Sequence, residues 1–335
     1  MTKSKKSKAR IIVPIIATVL LIATWQIYAH LTGVFSLRWF GDQITVATFQ
    51  PSPAITDLAE GSGMSDYGRF YFYAAVPEVN DSQDFNINCA DVINEESYTL
   101  GCYNGRIFLF NVTDERISGV KYVTAAHEML HVAYDRLGPL EKNRVDELLK
   151  KQLSHTTDQR VLDLVEMYAQ SEPGQELNEL HSIFGSELAD LSPELSDYYR
   201  RYFADRGKTT SASEKYEAIF ADMERRADEL EIKMAALDGE IKSMSAQYDA
   251  DAAALSADVD EFNSLASLSG GFPSEAAFYA QRNSLLYRQS QISGAVDAIN
   301  AKIDEFNGYV TDLQALGRDA ASLQKSIDSK GGLLE

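Results

Sequence analysis

An α+β domain followed by a long helical hairpin is the fold the sequence predicts. Three observations predict it. Runs of β-branched and aromatic residues concentrate between residues 44 and 112, helical periodicity takes over from about Asp114, and two heptad seams fill the last third of the chain. Strands first and helices later place a small mixed sheet in the N-terminal part and helices in the C-terminal part.

The chain has 335 residues, 45% of them apolar, enough to bury a sizeable core. Lys3, Lys5, Lys6, Lys8 and Arg10 open it as a basic tail over residues 1–10, and no acid precedes Asp42. Residues 11–31, IIVPIIATVLLIATWQIYAHL, are nearly all apolar and about long enough for a bilayer core. Trp25 and Tyr28 fall near the far end, where aromatic rings favour the interface. The expectation is an uncleaved, single-pass membrane anchor with a cytoplasmic N-terminus and the remaining chain extracytoplasmic; a cleaved signal peptide is the alternative. The formal charge of −19 repels phosphates and argues against nucleic acid as a partner.

After the anchor, ITVATF (44–49) and RFYFYAAV (69–76) are expected as strands, with a short helix from Pro53 to Glu60 between them. FNINC, YTLGCY and RIFLFNV (106–112) continue the strand pattern, and Asn104-Gly105 marks a tight turn between the last two. The chain's two cysteines, Cys89 and Cys102, read as a disulfide if this part is exported, with NEES (94–97) as the turn that lets them meet. Helices are expected over the segment containing residues 120–135, then over 140–153, 159–170, 175–188 and 193–205.

From about Ser211 apolar residues recur at alternating three- and four-residue steps, from Tyr216 through Leu237 to Phe262. The breaker LSGGFPSE (268–275) follows, with Ser274 as a helix N-cap. A second seam runs from Phe278 to Ile327. Two matched seams around one breaker predict an antiparallel coiled-coil hairpin over 207–335, a spacer or a docking arm for a protein partner, with no cluster of reactive side chains.

The chemistry concentrates in TAAHEMLHVAYD (124–135), which contains HExxH. On a helix, His127 and His131 share one face one turn apart and can bind one metal ion, while Glu128 can act on a water beside it. The competing reading is a helix with one buried and one exposed histidine. A metal held by two imidazoles needs a third protein ligand, and the candidates lie in ELNELHSIFGSE (176–187).

There the sequence resembles the gluzincin, or thermolysin-like, zinc metallopeptidases, which follow HExxH with a helix bearing NExxSD. This chain has Asn178-Glu179-Leu180-His181-Ser182, followed by Ile183 in place of the aspartate. The resemblance covers two helices. It implies a zincin-like catalytic domain over 32–206, Zn²⁺ on His127, His131 and Glu179, Glu128 as general base, and Asp135 as an outer partner of a ligand. His181 competes with Glu179 as third ligand, and Glu187 is a further candidate. No histidine follows His181, so the residue that stabilises the reaction intermediate in that group has no counterpart; Tyr198 is expected to replace it. The strand 106–112 is implied as the edge that pairs with an extended peptide substrate. The function expected is a membrane-anchored, extracytoplasmic zinc metallopeptidase. A cell-wall peptide hydrolase and a non-catalytic envelope scaffold or adhesin braced by a structural metal are the alternatives.

Overall fold

The computed structural model describes residues 4–32, 36–90, 99–171 and 174–330. The expected α+β class gives way to a mostly helical chain: 77% of the described residues are helical, and among them stands one three-stranded sheet. The NEES turn lies outside the described residues.

Helix α1 (Ser4–Thr32) covers the expected anchor. No helix among the described residues is long and apolar enough to cross a membrane, which removes the support for a single-pass anchor and for the location inferred from it.

The aromatic runs expected as strands are helices. ITVATF falls within and just after α2 (Leu37–Thr48), RFYFYAAV within and just after α4 (Asp66–Ala74), and FNINC within α5 (Ser82–Asn88) and its C-cap, while α3 (Pro53–Gly61) stands where a helix was expected. The local cause is capping. Ser36, Ser52, Ser65 and Asp81 each accept a hydrogen bond from the backbone N–H three residues on, satisfying one of the donors that a helix start leaves open. The β-preference of Tyr, Phe and Val depends on having a sheet to join, and in α4 helical spacing lets Phe72 enter the core fully.

The sheet order is β1-β3-β2, with β1 (Glu78–Asn80) parallel and β2 (Gly101–Tyr103) antiparallel to β3 (Ile107–Phe110). The segment expected as an edge strand is therefore the central one. Cys102 of β2 bonds Cys89 in a disulfide at the end of α5, and both pack with Phe85 and Phe108. The opposite face, with Ile107 and Leu109, joins the main core.

That core forms around α6 (Val120–Asp135), which is buried on nearly every side. After it come α7 (Pro139–Leu153), α8 (Gln159–Ser171), α9 (Glu176–Ser186) and α10 (Pro193–Tyr199). Helices α11 (Gly207–Ala266) and α12 (Glu275–Ile327) are the long ones. The chain divides into two compact units, residues 1–219 with 323–335, and residues 220–322. Within the second unit α11 and α12 run antiparallel: Lys302 pairs with Glu240 at 2.9 Å, Arg288 with Asp258, and Phe262, Phe272 and Phe278 cluster near the turn. Gly270 takes φ +79°, and a Cβ on Gly271 would strike the Leu265 carbonyl oxygen at 1.9 Å, so this turn needs glycine. The first three turns of α11 belong to the first unit, where Thr209 and Ser213 are buried.

The close approach of α9 to α6 depends on Gly185. A Cβ there would lie 2.3 Å from Leu130 Cδ1 and 2.7 Å from Tyr199 Cε1, in a core that leaves neither room to move. Gly185→Ala should cost about 1–3 kcal/mol by overpacking, measured as a lower midpoint in urea unfolding. An unchanged midpoint would show that the two helices tolerate separation.

Candidate metal centre

Helix α6 carries His127 and His131 on one face, their rings 4.7 Å apart. Helix α9 brings Glu179 to the same point. Glu179 Oε2 lies 3.5 Å from His127 Nε2, and Oε1 lies 3.5 Å from His131 Nε2. One ligand atom from each of the three residues falls within a 4.8 Å span, so His127, His131 and Glu179 form a candidate metal-binding triad. The donor chemistry fits a divalent cation of intermediate softness, two imidazole nitrogens and one carboxylate.

Both rings are held from behind. His131 Nδ1 lies 3.1 Å from Asn178 Oδ1, and His127 Nδ1 lies 3.5 Å from Glu187 Oε1. A proton on each Nδ1 directs the Nε2 lone pair toward Glu179. Glu187 in turn accepts a hydrogen bond at 2.6 Å from Arg160 Nη1 on α8.

This charge arrangement sets the protonation state without metal. Burial works against a charge on His127, but contacts with Glu179 and Glu187 and the nearby Glu128 carboxylate outweigh it and raise its pKa to about 10. Burial would raise Glu179 and Glu187, yet the imidazoles, with Arg160 beside Glu187, hold both carboxyls below their ordinary range. Two anions around one imidazole create a place that binds positive charge, as a proton or as a metal ion.

The triad opens onto a cleft of about 1120 Å³. One wall is residues 99–105 around β2, another is Arg160, Leu164 and Met167 of α8, and Ser213, Tyr216 and Glu217 of α11 complete it. Glu128 is 4% exposed and lines this cleft. Gly101 of β2 presses against it: a Cβ there would sit 2.6 Å from Glu128 Oε1. Phe110 N–H donates to the Leu100 carbonyl, and Asn104 N–H to the Arg106 carbonyl. By the alternation of an antiparallel pair, the backbone groups of Gly101 and Tyr103 then point away from β3, toward the outer edge.

Three site residues expected from sequence stand elsewhere. His181, two residues from Glu179, points away from the triad; it is fully buried against Tyr134 of α6, its Nε2 2.9 Å from the Tyr198 hydroxyl, and burial drives its pKa well down. Tyr198 meets His181 and, at 3.2 Å, the Tyr202 hydroxyl; it is 5% exposed and is not among the residues lining the cleft. Asp135 lines the cleft rim, but it pairs with Arg38 and accepts from Tyr103 Oη at 3.0 Å. It ties α2 and β2 to the end of α6, while Asn178 and Glu187 stand behind the two imidazoles. Asn178 was visible within the NELHS run. Glu187, the C-cap of α9 eight residues after Glu179, stands behind His127. Nothing in the sequence marked Arg160.

Compared with known proteins, the chain matches no protein-family model, no curated protein and no solved structure.

A group whose pKa rises on folding stabilises the fold below its unfolded value, and the contribution fades as pH climbs through the folded one. For His127 that window runs from 6.5 to about 10. The depressed carboxyls of Glu179 and Glu187 act in the other direction: their contribution is present above the ordinary 4.5 and is lost as pH falls below it. Metal-free protein should therefore melt earlier as pH rises from 6.5 toward 10, and more steeply than His127→Gln does in the same series. Parallel melting curves for the two proteins would exclude the raised histidine.

Proposed function

We propose that this protein is a zinc-dependent hydrolase of peptide bonds whose reaction is carried out at His127, His131, Glu179 and Glu128. The observation that carries the reading is the convergence of two Nε2 atoms and one carboxylate on a point beside an acid, at the wall of an open cleft. A histidine pair buried for packing alone does not call for a carboxylate facing both Nε2 atoms and a polar partner behind each ring.

His127, His131 and Glu179 would hold zinc, which would supply Lewis acidity toward a carbonyl and a bound water. Asn178 and Glu187 keep the imidazoles in the tautomer that offers Nε2. Glu128 takes a proton from the attacking water at its carboxylate and delivers it to the leaving nitrogen. Its place next to His127 in the sequence, one helical step from the ligand face, puts the carboxylate beside the triad without adding a ligand. The short strand β2 offers the outward N–H and C=O groups of Gly101 and Tyr103 to an extended chain. Because Gly101 has no side chain, a chain paired there passes close to Glu128. A strand-like substrate held by main-chain bonds fits peptide chemistry better than a compact small molecule.

Glu128→Gln should retain zinc, measured by metal analysis of the purified protein, and lose peptide hydrolysis by a factor of about 10² or more. Retained activity in that variant would sink the mechanism, and loss of zinc would reassign Glu128 to the ligand set.

A further inference from the structure

Helix α11 contributes to the metal centre before it leaves the first unit. Ser213, Tyr216 and Glu217 line the cleft, and all three lie within residues 1–219. Glu217 Oε1 lies 3.1 Å from Arg160 Nε and accepts a hydrogen bond from the buried Ser213 hydroxyl, also at 3.1 Å. Arg160 Nη1 then donates to Glu187 Oε2 at 2.6 Å, and Glu187 Oε1 faces His127 Nδ1 at 3.5 Å. The path from α11 to the imidazole is a chain of alternating charge: anion, cation, anion, ring.

We infer that Glu217 is a positioning residue of the metal centre: through Arg160 and Glu187 it fixes the ring of His127 from the first turns of α11. The chemistry supports an orienting role. Arg160 donates to Glu187 through Nη1, while Glu217 Oε1 lies 3.1 Å from Nε as an ion pair without hydrogen-bond geometry, so the Glu217 charge helps hold in place the guanidinium that holds Glu187. Without Glu217 the guanidinium can turn, and Glu187 can follow it away from Nδ1. Ser213, one turn before Glu217 on α11, keeps that carboxylate in place. The sequence pattern gives no hint of this, since Glu217 sits in a heptad seam next to Tyr216 and reads as an ordinary solvated acid.

The inference rests on the proposed metal centre but not on hydrolysis, so the test reads metal binding. Co²⁺ is titrated into metal-free full-length protein, and its dissociation constant and visible absorption are recorded for wild type, Glu217→Gln, Arg160→Gln, the double variant and Glu214→Gln. Glu214 is an exposed acid on the same helix and controls for general charge. Removing an outer partner of a ligand weakens metal binding by ~10–100-fold. Glu217→Gln, one contact further out, should weaken it several-fold and shift the Co²⁺ bands, while the double variant should be no weaker than Arg160→Gln alone. Glu214→Gln should match wild type. Wild-type affinity and spectrum in Glu217→Gln would overturn the inference, as would additive effects in the double variant or an equal effect in Glu214→Gln. Wild type that binds no Co²⁺ would overturn the metal centre itself and this role with it. Wild type that binds Co²⁺ with the expected pattern but hydrolyses no peptide, even with zinc, would leave the positioning role standing and remove the proposed function.

Discussion

The rest of the structure depends on the packing of α6 against α9. This contact is the centre of the core, and it sets the geometry of the site, because each helix carries part of the triad on the same face that packs. Gly185 permits the approach, with Leu130 and Tyr199 filling the space a side chain would take. Beside this contact His181 of α9 meets Tyr134 of α6 and Tyr198 and Tyr199 of α10, in T-shaped and tilted ring contacts that tie the three helices together. Holding Glu179 to within 3.5 Å of two imidazoles is thus a consequence of the close packing of α9 on α6.

The second constraint is charge. Glu179 and Glu187 flank His127 in a buried setting, and the arrangement is stable only with a cation among them. Without metal the imidazole carries it, which explains its raised pKa. Arg160 shares the load on the outer side, bridging Glu187 and Glu217. The buried acid cluster is therefore organised around positive charge at two points, the Arg160 guanidinium and the His127 imidazole beside the candidate metal-binding triad.

The sheet shows how a small element can position a site. Three strands are too few to form a core of their own, and they are held by the disulfide on one face and by α6 on the other. The result is that β2, only three residues long, lies across the HExxH helix with Gly101 against Glu128. Tyr103, two residues on, joins Asp135 and Arg136 at the end of α6, so both ends of the strand are registered to the same helix.

The sequence by itself determined the chemistry that recurs within one helix. HExxH put two imidazoles on one face because of the helical repeat, and the resemblance carried by the NELHS run pointed to Glu179. The disulfide of Cys89 and Cys102 was read on the premise of export, and the Gly-Gly-Phe-Pro breaker marked where the long helices turn. Sequence reasoning failed where a residue's state depends on its neighbours in space. The aromatic runs became helices because serine and aspartate caps and a helical core favoured that state over a sheet with few strands. The anchor was inferred from the apolar run, its length, the cations before it and the aromatic residues near its end, and no described helix meets the length and apolarity that crossing a membrane demands. Tyr198 and Asp135 went to the core and to an ion pair, and Glu187, Arg160 and Glu217 took the places behind His127. Those places come from α8, α9 and α11, which are distant in the chain, and only their packing decides which charged side chains meet.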